Sequence, residues 1–174
     1  MDNSAQNEHK DLLKGLQSKD SLKVIETLEE LRNSGRASDI PVLLELLHMS
    51  ADPEIKAKIT DLFANLKESD TIPLIIEGIR NQKYAPELKS LISSCWENGL
   101  DYSKYIPLFV DLLIDNEFDV AFEAYTVIMN TESQMNTEII DQEIERMEKV
   151  LSTVSEQKRQ LLIDVIDYLP TLRS

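Results

Sequence analysis

The residue types that carry metal and nucleophile chemistry are few and scattered: one cysteine, Cys95, and two histidines, His9 and His48. A structural zinc site needs Cys and His in short, spaced pairs, and neither such pairs nor a His-Glu-x-x-His step occurs. Glu45-Leu46-Leu47-His48 is one Glu-x-x-His step of the kind a di-iron bundle uses, but that chemistry needs two facing each other. His48 reads instead as a helix-closing residue, where a cation meets the negative end of the dipole. Asp115-Asn116-Glu117-Phe118-Asp119 opens like a calcium loop, but Val120 stands where the loop needs glycine and no glutamate closes it. A turn between two helices is expected there. Cys95 lies beside Trp96 on an apolar stripe with no histidine near it in sequence, which is the setting of a buried structural thiol rather than an activated one. There is no Gly-rich phosphate loop and no Gly-x-Ser-x-Gly. With 32 Asp and Glu in 174 residues, neighbouring carboxylates carry no information about acid–base catalysis. The expectation is a non-enzyme with no catalytic, cofactor-binding or metal-binding residues.

The elements that would position any site are helical. Of the residues, 42% are hydrophobic and 29% charged, with only 4 Gly and 6 Pro. That is too little turn punctuation for a sheet protein, and Leu, Ile, Glu and Lys favour helix. The net charge is −14, which repels phosphate backbones and anionic lipid surfaces, so neither nucleic acid nor membrane is an expected partner. The charge is uneven: residues 1–100 hold 12 basic and 17 acidic side chains, and residues 101–174 hold 6 and 15. A basic partner would be steered to the C-terminal part. One cysteine excludes an intrachain disulfide and fits a reducing compartment. Met1–Glu8 is polar, without the basic and apolar regions of a signal peptide, and no apolar run reaches membrane-spanning length. A soluble, cytoplasmic protein is the expectation.

One phrase recurs three times: Ile40-Pro41-Val42-Leu43-Leu44, Ile72-Pro73-Leu74-Ile75-Ile76 and Ile106-Pro107-Leu108-Phe109-Val110. The prolines are 32 and 34 residues apart. Proline is tolerated in the first helical turn, so each phrase starts an amphipathic helix, with Asp39, Asp70 and Ser103 as expected N-caps. A second helix follows each first one. Asp52-Pro53-Glu54-Ile55 opens one, with Ile59, Leu62, Phe63 and Leu66 on its stripe. Leu88, Ile92, Cys95 and Trp96 mark the next, and Val120, Ala124, Val127 and Ile128 the third. Leu12, Leu13 and Leu16, then Val24, Leu28 and Leu31, extend the pattern to the N-terminus. Ile139 to Leu151 and Leu161 to Leu169 give a looser last pair. The expected fold is all-α: one domain of about five antiparallel hairpins, near 5–35, 38–67, 70–99, 102–130 and 135–170, stacked as an α-α superhelix.

The first-helix prolines and Asp52-Pro53-Glu54-Ile55-Lys56 resemble the HEAT/armadillo-like family, in particular its short bacterial-type repeats. The marks of tetratricopeptide and ankyrin repeats are absent. Some HEAT-like proteins act on DNA with Trp and Asp in a basic groove, but beside Trp96 and Glu97 no basic groove is encoded. The resemblance implies that second helices line a concave, partner-binding surface. The expected partner-binding residues are then those off the apolar stripes: Lys56, Asp61 and Asn65, with Lys58 beside them, next Lys89 and Glu97, flanked by Glu87 and Ser93, and finally Glu123, followed by Thr126 and Asn130. Tyr84, Tyr102, Tyr105 and Tyr125 are further interface candidates. The expected function is a protein–protein interaction scaffold or adaptor, with a regulatory or chaperone-like subunit of an enzyme complex as the alternative. The sequence leaves the oligomeric state open.

Overall fold

The computed structural model describes residues 3–174, with side chains from residue 9 onward. The Met1–Glu8 stretch discussed above lies outside them, apart from the helical backbone from Asn3. Among the described residues there are ten α-helices and no strand. Contacts divide the chain into two compact units, Met1–Glu87 and Leu88–Ser174. The boundary falls inside the third hairpin read from the sequence.

The first unit holds α1 (Asn3–Gly15), α2 (Ser21–Ser34), α3 (Ile40–Met49), α4 (Pro53–Ala64) and α5 (Ile72–Arg80). Here α1 packs on α2, α2 on α4, α3 on α4 and α3 on α5. The second unit holds α6 (Leu88–Glu97), α7 (Ile106–Asp115), α8 (Phe118–Met129), α9 (Thr137–Val150) and α10 (Glu156–Tyr168). There α8 packs on α6, α7 and α10, and α9 packs on α7 and α10. Within the units, then, α2 and α4, α3 and α5, α6 and α8, α7 and α9, and α8 and α10 each pack on the next helix but one.

The helix starts follow local chemistry. Asp20 and Asp52 cap α2 and α4, Asp52 accepting from the Glu54 amide at 2.9 Å with Pro53 as the first helical residue. That bond is the leading reason the Asp52 carboxyl lies below its ordinary pKa. Asn136 and Ser155 cap α9 and α10 in the same way. The three Ile-Pro helices start differently from the expectation. Each is preceded by a short 3-10 turn, at Ala37–Asp39, Ser69–Thr71 and Ser103–Tyr105, and none has a side-chain cap. Asp39 turns back instead, accepting the Arg36 amide at 2.8 Å and lying 2.8 Å from the His9 ring. Asp70 is exposed inside its turn. Ser103 is itself capped by Asp101 at 2.9 Å. The proline lacks an N–H that needs satisfying, so a preceding turn serves where a cap would otherwise be required.

The apolar stripes form the cores. Leu28, Ile59, Phe63, Ile75 and Ile76 are almost wholly buried in the first unit, and Leu91, Phe109, Val110, Ala124 and Ile128 in the second. Each fully buried Leu, Ile or Phe contributes on the order of 1.5–3 kcal/mol. Among the described residues no buried side-chain nitrogen or oxygen lacks a hydrogen-bond partner. In the second unit Arg146 of α9 forks between Glu143, at 2.6 Å, and Asp111 of α7. Burial nonetheless leaves the Glu143 carboxyl above its ordinary pKa. Lys158 donates to the Ile114 and Asn116 carbonyls at 2.5 and 2.8 Å, satisfying the end of α7 with a cation. The C-terminus is tied down by Met135–Leu172 and Ser174–Met135 backbone bonds of 2.8 and 3.0 Å. No described helix is long and apolar enough to cross a membrane.

Candidate functional site

The six residues expected to bind a partner fall three to each unit, and most are engaged with neighbouring elements. In the first unit, Lys56 donates to Glu87 at 3.3 Å. Glu87 is 7% exposed and also lies 3.1 Å from the His48 ring, so Lys56 serves a buried carboxylate at least as much as a surface. The His48 ring stands edge-on to Tyr84, centroids 5.7 Å apart, and His48 closes α3 as expected. Asp61 pairs with Arg32, and Asn65 donates to Asp61 at 3.1 Å. Lys58 pairs with Glu29. Both ion pairs join α2 to α4.

The second unit repeats this arrangement. Lys89 of α6 stands 3.8 Å from Asp119 of α8. Glu123 of α8 accepts the indole N–H of Trp96 at 2.9 Å. Glu97 accepts from Ser93 on its own helix. The Tyr125 hydroxyl points at Asp164 of α10 across a long 3.5 Å contact. Exposed pairs of this kind contribute little stability, about 0–1 kcal/mol each.

What remains open on this face is aromatic. Phe118 and Phe122 are 39% and 45% exposed, and Trp96 37%. The Phe118 and Phe122 rings lie 6.1 Å apart and the Phe122 and Tyr125 rings 5.9 Å, forming a continuous ladder along α8. The spacing of four and three places these rings on one side of α8, flanking Ala121, Ala124, Val127 and Ile128, which face the core. The sequence reading put Trp96 on the core stripe. In fact Leu91, Ile92 and Cys95 fill that interior, and the indole lies outside. Phe118 and Phe122 lie off the stripe, where the repeat pattern leads one to expect polar residues alone. The signal was present as a second apolar row on one helix.

The tyrosines divide. Tyr102 is buried, 3.1 Å from the Asn98 amide, and edge-on to Phe109. Tyr84, Tyr105 and Tyr125 are half-buried. Cys95 is 1% exposed, its S–H donating to the Leu91 carbonyl at 3.4 Å, and burial pushes the thiol up to about 12. It is therefore a neutral thiol at physiological pH. Asp115 ends α7 and Glu117 precedes α8, so the calcium-like stretch is the inter-helix turn. Among the described residues no three His, Cys, Asp or Glu side chains converge to hold a metal ion.

Two clefts occupy equivalent places. One, of about 440 Å³, lies at the C-terminal ends of α2 and α4, with Leu31, Leu43 and Phe63 in its floor and Arg32, Arg36 and Lys67 around it. The other, of about 360 Å³, lies at the ends of α6 and α8 and is lined largely by polar groups such as Asn130, Thr131 and Ser133.

No family model matches the chain, and no curated protein matches it. Among solved structures it is similar to an engineered protein known from a crystal structure, at 18% identity and a TM-score of 0.47, over 93% of this chain and 79% of that one.

Proposed function

We propose that the chain is a non-catalytic protein–protein interaction scaffold or adaptor, built as a HEAT-like α-solenoid, that binds a partner on the face carried by its second helices. The observation that carries the reading is the row of exposed aromatic rings, Trp96, Phe118 and Phe122, on helices whose adjoining sides are buried. An apolar row in water is a standing cost that a partner relieves, and aromatic side chains supply much of the energy of protein interfaces. The packing of α2 on α4, α3 on α5, α6 on α8, α7 on α9 and α8 on α10 supports the solenoid part. The proposed setting is the cytoplasm.

The test is a tagged pull-down from the native organism's lysate at low and high salt, read by mass spectrometry. A single protein enriched at both salts, and lost when Lys89, Glu97 and Glu123 are replaced together by alanine, is the expected result. No enriched protein, or only proteins that high salt removes, would count against a dedicated scaffold. The alternative, a regulatory or chaperone-like subunit of an enzyme complex, draws on the apolar-floored cleft between the ends of α2 and α4. It predicts loss of the captured enzyme with Leu66→Glu rather than with the three-residue change.

A further inference from the structure

We infer that the partner segment taken by the second unit is a basic amphipathic helix of another protein, whose apolar side lies along the α8 ladder of Phe118, Phe122 and Tyr125. The inference rests on the binding-module reading and names the chemistry of its ligand. Two independent features carry it.

The first is shape. Three rings at intervals of four and three residues, with centroid spacings of 6.1 and 5.9 Å, make a straight apolar ridge. A helix presents apolar residues at the same i, i+4, i+7 interval, so one amphipathic helix can match the ridge over its whole length. Trp96 of α6 lies near one side of it, held by Glu123.

The second is charge. Residues 105–145 contain ten Asp and Glu and no Lys, Arg or His. On and beside α8 this leaves Glu117, Asp119 and Glu123, with Asp164 of α10 at the Tyr125 hydroxyl. Of the basic groups near this region, one offsets part of the Asp119 charge and two are bound elsewhere. Lys89 faces Asp119 at 3.8 Å, Lys158 is bound to two backbone carbonyls, and Arg146 is held by Asp111 and Glu143. An apolar ridge edged with carboxylates is complementary to an apolar stripe edged with Lys and Arg. A second copy of this chain, at net charge −14, is the wrong sign, and so are nucleic acid and anionic lipid.

The probe is a fluorescein-labelled Leu/Lys peptide of about 18 residues, five helical turns, with leucines on one side. Its controls are the same composition scrambled to destroy the stripe, and a Leu/Glu version. The full chain is titrated at two salt concentrations, with peptide anisotropy as the readout and Trp96 emission as a second signal, since the chain has only that one tryptophan. Saturable one-to-one binding is expected, about ten-fold or more tighter than the scrambled peptide. Phe118→Ser/Phe122→Ser should weaken it by a similar factor, and both side chains are exposed enough for the fold to tolerate the change. Asp119→Lys/Glu123→Lys should also weaken it, whereas Glu138→Lys/Glu148→Lys, the same charge change on α9, should do so far less. Circular dichroism of each variant confirms that it is folded. Equal binding of the scrambled peptide, or undiminished binding by the serine variant, would overturn the inference, as would sedimentation showing a dimer that the serine variant abolishes. If the peptide fails while the lysate partner is still captured, the basic-helix inference falls and the scaffold reading stands.

Discussion

Replacing Gly78 by alanine sets two effects against each other. Gly78 is buried near the end of α5, and alanine is favoured over glycine inside a helix by about 1 kcal/mol. A Cβ there, however, would lie 2.9 and 3.1 Å from the two terminal carbons of Leu44 on α3, inside the roughly 3.5–4.0 Å optimum for carbon contacts. Leu44 is itself 5% exposed, so it must leave its rotamer within a packed interior. Overpacking of this kind costs about 1–3 kcal/mol, and the net loss for Gly78→Ala is then about 0–2 kcal/mol. Leu44→Ala alone opens a void and costs about 2–5 kcal/mol. In the double variant the colliding carbons are gone, the new methyl occupies part of the void, and the helix gain is retained. Its loss should fall short of the sum of the singles by about 1–3 kcal/mol. Urea unfolding of the four chains, followed by far-ultraviolet circular dichroism, measures this. Trp96 fluorescence would not serve, because the indole belongs to the other unit. Losses that add to within about 0.5 kcal/mol, or a Gly78→Ala chain stabilised by the full helix term, would refute the close approach of α3 and α5.

Other expectations follow from single residues. Gly99 has φ +68° just after α6, and a Cβ added there would meet nothing within 4 Å, so the backbone alone requires glycine. Gly99→Ala should cost about 1 kcal/mol and Gly99→Asn less, as thermal unfolding of the two will show. Cys95 should resist a thiol reagent at neutral pH and react only as the second unit opens, with labelling that accelerates in urea. Rapid labelling of the native chain would contradict its burial. Two acids in the second unit should have opposite pH signatures. Burial raises the Asp101 carboxyl, but the Ser103 amide and the Ser103 and Ser133 hydroxyls more than offset it and leave it below its ordinary value. Its stabilisation is therefore present above the ordinary carboxylate range and lost as pH falls through it, so the deficit of Asp101→Asn should shrink in acid. Glu143 is raised, chiefly by burial, so the folded form favours its protonated state and stability is lost as pH rises above 4.5. Glu143→Gln should therefore improve relative to the native chain over that rise, and denaturant titrations at several pH values would detect either sign.

Much of the fold was legible in the sequence because helices advertise themselves locally. The Ile-Pro starts at 40, 72 and 106, the Asp52 cap and the apolar intervals depend on a few neighbouring residues, and all ten helices lie where these signals fall. The sequence also set the acidity of 105–145 and the wide spacing of its one cysteine and two histidines. Tertiary structure decided the rest. Asp39 is drawn away from its own helix by His9 and the Arg36 amide, a choice that needs a partner 30 residues distant. Lys56 became a structural link because the fold brings Glu87 to it. Trp96 and Phe63 share a place in the repeat, yet one is 37% exposed and the other wholly buried. Periodicity tells which residues share a side of a helix, but only the packed neighbours determine which sides are covered. That is why the polar candidates are legible directly in the chain, while the exposure of the aromatic ladder on α8 is decided only where α6, α7 and α10 cover the adjoining side of that helix.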